Sequence, residues 1–231
     1  MTASGTRRRR GPPSAEARGA KAVALSRERI VEAALDIVSA EGVAGLSTRK
    51  LGERLGCEAM SIYHHYPGKQ HLLDALVDHA IASFEWPPQD LPPLQRLSLA
   101  MYAYRAMAHR FPALFPLVAL HRLNTETGVR FIEGILRLVQ DVVPDPELAA
   151  RHFRTLGYFL AGAGLDETSG YANGPSAAVP VSDEFIMREC PRLVAASRYF
   201  KRDQWDRTFA LGVDSMLQGM VRDAGGKKPL R

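Results

Sequence analysis

Cysteine is almost missing from this chain. It occurs twice in 231 residues, at Cys57 and Cys190, with no C-x-x-C pair. Neither a disulfide framework nor a cysteine zinc site is therefore indicated, and both thiols read as reduced and at least half-buried. No apolar run approaches the roughly 18–20 residues that cross a bilayer, and Arg7 to Arg10 lead into Gly-Pro-Pro-Ser rather than a hydrophobic stretch. The expected location is cytoplasmic, with no membrane partner. G-x-S-x-G, a P-loop and H-E-x-x-H are absent, and the nearest approach to G-x-G-x-x-G is Gly162-Ala163-Gly164 in a helical stretch. No catalytic residue, cofactor or metal is expected. Strand-like alternation is lacking too, which leaves an all-α fold.

The net charge of +5 is strongly localised. Residues 1–21 carry Arg7, Arg8, Arg9, Arg10, Arg18 and Lys21 against Glu16, while the other 210 residues balance at 24 basic and 24 acidic groups. Such an arm, rich in Gly, Pro, Ser and Ala, cannot bury enough apolar surface to fold alone. It is expected to be disordered over residues 1–24, serving either to bind a polyanion or to aid solubility.

Helical spacing then takes over. Ile30, Ala33, Ala34, Ile37 and Val38 mark one buried face of a helix from about Arg27 to Glu41, with Ser26 as its N-cap and Gly42 as its stop. Ser47 caps a second helix carrying Leu51 and Leu55, and Gly56 ends it. A third begins near Glu58 or Ala59 and must stop by Tyr66, since Pro67 disfavours helical geometry in the residue before it. A fourth, from about Lys69 to Phe84, carries Leu72, Leu73, Leu76 and Val77. Two short helices joined through Gly56-Cys57-Glu58 form a helix-turn-helix.

The string "ERIVEAALDIVSAEGVAGLSTRKLGERLGCEAMSIYHHYPGKQHLLDAL" resembles the amino-terminal domain of the TetR family of bacterial transcriptional regulators. Its ordered elements are "G-L-S-T-R-K-L", "L-G-C", "I-Y-H-H-Y" and "K-Q-H-L-L-D-A-L". The resemblance implies a helix-turn-helix DNA-binding domain over residues 25–84 and a helical ligand-binding and dimerisation domain over residues 85–231. It further implies a homodimer that represses transcription from a near-palindromic double-stranded operator until a small, largely apolar inducer releases it.

The cluster Tyr63-His64-His65-Tyr66 fits this better than it fits metal. Adjacent histidines on a helix point about 100° apart, and neither His71 nor His79 adds Cys or carboxylate ligands at the right spacing. Read as a recognition helix, the segment turns Ile62 inward, makes His65 a packed or capping residue, and leaves Tyr63 and His64 facing phosphates. Lys69 opens the next helix, whose N-terminus already favours anions. The resemblance adds Thr48 as a phosphate-contacting hydroxyl, Arg49 as a base-reading arginine, and Ala59, Met60 and Ser61 as residues approaching base edges. Ala59 and Met60 are small or apolar where relatives can carry polar readers, so contact with a thymine methyl gains weight over hydrogen-bond readout.

Beyond "EWPPQDLPP", which marks an edge or linker, helices are expected over 94–110, 113–120, 125–142, 146–166, 183–200 and 204–222, with a mobile loop over 168–182. Two apolar faces stand out: Leu148, Phe153, Leu156, Gly157, Leu160 and Gly164, and then Trp205, Phe209, Gly212, Val213, Met216, Leu217 and Met220. Either a four-helix dimer interface or an ordinary core would use them. Met101, Tyr104, Phe115, His121, Phe131 and Phe159 are the candidate lining of the inducer pocket that the resemblance implies, with core packing as the alternative. Two other functions remain open. One is a DNA-binding adaptor without a small ligand; the other is a helical enzyme using His121, Asp166 and Glu167.

Overall fold

The computed structural model describes residues 24–169 and 177–225; among them every regular element is a helix and there is no strand. The expected basic arm lies outside the described residues except for Ala24, as do residues 170–176 of the expected loop.

Helix α1 (Arg27–Glu41) starts where Ser26 accepts the backbone N–H of Arg29 at 3.3 Å. The Glu28 carboxyl in its first turn is held below the ordinary carboxylate range, chiefly by its own backbone N–H and then by the Ser26 hydroxyl. The helix stops at Gly42, whose φ of 72° is open to glycine. Ser47 caps α2 (Thr48–Leu55) through the Lys50 N–H, and Gly56 leaves it in the left-handed region at φ 67°, ψ 34°. Helix α3 (Ala59–His65) ends as Pro67 requires, with Tyr66 already extended. Helix α4 (Lys69–Ala82) returns along α1, burying Leu72, Leu76, Val77, Ala80 and Ile81.

Residues 83–92 are not helical, as Pro87, Pro88 and Pro92 dictate. They lead to α5 (Pro93–Arg110), α6 (Phe115–Leu120), α7 (Glu126–Gln140) and α8 (Pro146–Ser169). Trp86 lies across α7 at Gly134, where a Cβ would come within 2.3 Å of the indole. Phe84 and Phe131 press on the same ring, with centroids 4.8 and 5.8 Å away. Helix α4 itself packs on α6 and α7, so one apolar core runs through the described chain.

Two expectations need correction, and one open alternative is answered in part. Helix α8 does not stop at Asp166 but runs to Ser169, where the Thr168 and Ser169 hydroxyls donate back to the carbonyls of Gly164 and Leu165 at 2.6 and 3.3 Å and so do not cap a loop. The single helix expected over 183–200 is broken into α9 (Asp183–Glu189) and α10 (Pro191–Ala196). Pro191 has no N–H to give α9, and Cys190 before it sits at φ −124°, ψ 52°. The open alternative concerns the two apolar faces. In α11 (Trp205–Ala224) Phe209, Val213, Leu217 and Met220 are buried within the chain, and so are Leu156, Leu160 and Gly164 of α8. The Phe115 ring occupies the space a Cβ at Gly164 would need, and Phe159 does the same at Gly212. Those residues form an intrachain core. The faces of α8 and α11 left outside carry Tyr158 at 65% and Leu211 at 68% exposure.

Candidate nucleic-acid interface

The turn between α2 and α3 depends on a close approach. A Cβ at Gly52 would lie 2.7 Å from the Cys57 carbonyl oxygen, and the Cys57 N–H donates to the Gly52 carbonyl at 3.0 Å. Glycine at 52 thus lets the turn fold down on α2, while Leu51 and Ile62, both fully buried, fix the rotation of α2 and α3 about their axes. That rotation decides what faces out.

On α3 the outward side chains are Met60, 64% exposed, Tyr63, 40% exposed, and His64; Ala59, Ser61 and His65 are half-buried. Tyr66 turns inward beneath the Arg27 guanidinium, 5.3 Å from the ring centroid, and its phenol is pushed up by burial. The side chains of Tyr63, His64 and the exposed Lys69 form no hydrogen bond or ion pair among the described residues. Their donors are free for an external acceptor. Lys69 opens α4, whose N-cap Gly68 supplies no side-chain oxygen, so the first N–H groups of that helix also lack a side-chain cap. Thr48, half-buried, and Arg49, exposed, begin α2.

Arg49 carries a feature that the sequence reading passed over. Its Nη1 donates to Glu53 Oε1 at 2.8 Å, an exposed pair one helical turn apart. The i, i+4 spacing was the available signal. Neighbouring cations are partly engaged as well: Lys50 pairs with Glu41, and Arg54 with Asp36. Arg49, Tyr63, His64 and Lys69 therefore put cationic, phenolic and imidazole donors on α2, α3 and the start of α4, with apolar Met60 among them. That chemistry suits phosphate oxygens and base edges, and it lacks a nucleophile–base pair.

A cavity of about 540 Å³ lies farther along, among α5, α6, α7 and α8. Of the six residues expected to line it, Met101, Tyr104, His121 and Phe131 do so. Phe115 and Phe159 do not, because the first is completely buried against Tyr104 and Gly164 and the second stacks on Phe209 at 5.3 Å. Burial pushes the Tyr104 hydroxyl up to about 12, so it stays a neutral hydrogen-bonding group. His121 Nε2 lies 3.0 Å from Asp74 of α4, and the Thr125 hydroxyl donates to Asp78 of α4 at 2.5 Å. Sequence spacing gave no hint of these pairs, which join residues 47 apart in the chain. Two residues of the enzyme alternative have other partners here. His121 is held by Asp74, whereas Glu167 accepts from Arg105 at 2.7 Å and lies 2.6 Å from His109.

Comparison with known proteins agrees with the resemblance. Residues 30–76 match the family described as bacterial regulatory proteins, tetR family. The HTH-type transcriptional repressor DrrR1 of Streptomyces coeruleorubidus is 31% identical over 148 residues, which is 60% of this chain and 53%, about half, of that repressor. The class A tetracycline repressor protein from transposon 1721 of Escherichia coli is 28% identical over 86% of this chain and 91% of its own. Among solved structures, the TetR family protein ActR of Streptomyces coelicolor in complex with actinorhodin aligns with a TM-score of 0.69 at 25% identity. That alignment spans 87% of this chain and 97% of ActR.

Proposed function

We propose that this chain, whose residues 30–76 match the tetR family of bacterial regulatory proteins, is a DNA-binding regulator of that family, a homodimeric repressor released from a near-palindromic operator by a small, largely apolar inducer. The observation that carries the reading is the pair of contacts His121–Asp74 and Thr125–Asp78. They join the lining and margin of the cavity to the helix whose first residue is Lys69. A molecule filling the cavity competes for the space around His121 and so bears on α4, which begins in the face offered to DNA.

In this reading Arg49 reads a base edge, Ala59, Met60 and Ser61 approach others, and Thr48, Tyr63, His64 and Lys69 hold phosphates. Residues 25–84 serve as the DNA-binding domain, and residues 85–231 as the ligand-binding and dimerisation domain. Support for a small-molecule ligand comes from the tetracycline repressors among the relatives and from ActR, crystallised with actinorhodin. The exposed faces of α8 and α11 remain available to a second copy of the chain.

A ligand can release DNA only through differential affinity for the DNA-bound and free forms, and the coupling is reciprocal. A genomic-fragment pull-down with footprinting supplies the operator. Ligand affinity for the cavity is then titrated with and without it. The expected outcome is weaker ligand binding in the presence of operator, typically by about 5- to 150-fold. Equal affinities would reject the inducer and favour an adaptor that binds DNA without a small ligand.

A further inference from the structure

A second cavity, an open groove of about 780 Å³, lies outside the cavity that contains Tyr104 and His121. It is bounded by Trp86, Arg96, Arg130, Glu133, Gly134 and Arg137 among other residues. We propose that this groove is a binding site for an aryl anion, a planar aromatic ring bearing a carboxylate.

The aromatic half of the argument rests on Trp86. Its indole is 48% exposed and yet fixed in place, lying on Gly134 between Phe84 and Phe131. A preset aromatic wall offers a flat apolar surface without the entropy cost of ordering it on binding. The anionic half rests on the charges. Arg96, Arg130 and Arg137 face a single lining carboxylate, Glu133. Arg130 is paired with Glu126 on the exposed side of α7, and Arg96 is anchored through Nη1 to Asp141 at 3.0 Å. Arg137 has no ion pair among the described residues. Arg96 Nε is buried and has no acceptor, so one edge of an already oriented guanidinium fork is unmatched. Buried donors are seldom left so, and a carboxylate is the partner a guanidinium fork binds best. Phe131 is the shared wall. It touches Trp86 on one side and lines the inner cavity on the other. Neither DNA binding nor the inducer reading is needed for this inference.

The probe is 4-nitrobenzoate, whose ring quenches tryptophan. Trp86 and Trp205 are the two tryptophans of the chain, so Trp205→Phe leaves Trp86 as the sole reporter; calorimetry on the unmodified chain serves as the parallel reading. Expected are saturable quenching by 4-nitrobenzoate and binding of the neutral 4-nitrobenzyl alcohol that is weaker by at least about fivefold. Arg137→Ala should weaken the carboxylate by a similar factor, and Glu133→Gln should strengthen it. Both substituted residues are exposed and line this groove, and neither lines the inner cavity. No saturation in either measurement, equal affinity for the neutral analogue, or indifference to both substitutions would each overturn the proposal.

Discussion

Arg49 holds two partners in prospect and can serve one at a time. In the free protein its guanidinium is matched to Glu53, an exposed pair of the kind that contributes at most about 1 kcal/mol. A guanine edge offering O6 and N7 is the better acceptor set. Arg49→Ala should therefore relax preference at one base pair of each half-site, at a cost of about 1–3 kcal/mol, whereas Lys69→Ala should weaken all sequences alike. A binding-site selection checks both, and unaltered preference at every position in Arg49→Ala would remove the base-reading role. These side chains were legible because an alternation of buried Ile62 and exposed Tyr63 and His64 is fixed by helix geometry. Glu53 escaped attention because a surface ion pair leaves no mark on hydrophobic spacing. Tyr104 gives a second test at this scale. With its hydroxyl raised from the ordinary 10 to about 12 by burial, the unfolded chain ionises first. Its contribution is complete below pH 10 and is lost as the pH rises toward 12. The full effect is about 3 kcal/mol at most. Melting curves between pH 9 and 12 should show the wild type losing more stability than Tyr104→Phe.

Among the elements, the helix-turn-helix was the most readable and the segment after α8 the least. Ser26, Ser47, Gly42, Gly56 and Pro67 each act within four residues of themselves, so caps and stops follow from local chemistry. Whether Thr168 and Ser169 extend a helix or open a loop depends on hydroxyls that can bond either way, and composition alone favoured the loop. Pro191 was a signal passed over. The partners of Phe115 and Phe159 lay beyond reach, since helical periodicity identifies a buried face without naming what covers it. Gly52 and Gly157 supply a paired prediction. Gly52→Ala pushes a methyl against the Cys57 carbonyl oxygen and should lower the melting temperature and the affinity for DNA together, by about 1–3 kcal/mol in stability. Gly157→Ala, in a helix with open space around it, should instead stabilise by up to about 1 kcal/mol. Thermal melts of the two variants decide it, and equal effects would mean that the turn is not held by close approach.

For the whole molecule, the proposed partner is a second copy of the chain. Leu156, Leu160 and Gly164 of α8 and Phe209, Val213, Leu217 and Met220 of α11 are buried within one copy, so an interface on these helices would draw on the faces where Tyr158, Leu211 and Val221 are exposed. Leu211→Asp should shift the chain from dimer toward monomer in sedimentation while leaving its helical content intact, because that side chain supports nothing within one copy. Operator affinity should fall with it, as half-sites about 34 Å apart reward only a linked pair of recognition helices. A sedimentation coefficient unchanged in Leu211→Asp would move the interface elsewhere.

The seat of Trp86 on Gly134 also sets the kinematics of α4. With its far end moored to α7 through that indole, any displacement that keeps the ring in place turns α4 about the mooring instead of sliding it. Fourteen residues at about 1.5 Å each make an arm of roughly 21 Å, so a rotation of about 5° carries Lys69 nearly 2 Å. A change of a few tenths of an ångström beside Asp78, close to the pivot, is thereby multiplied several-fold at Lys69, the end proposed to meet DNA.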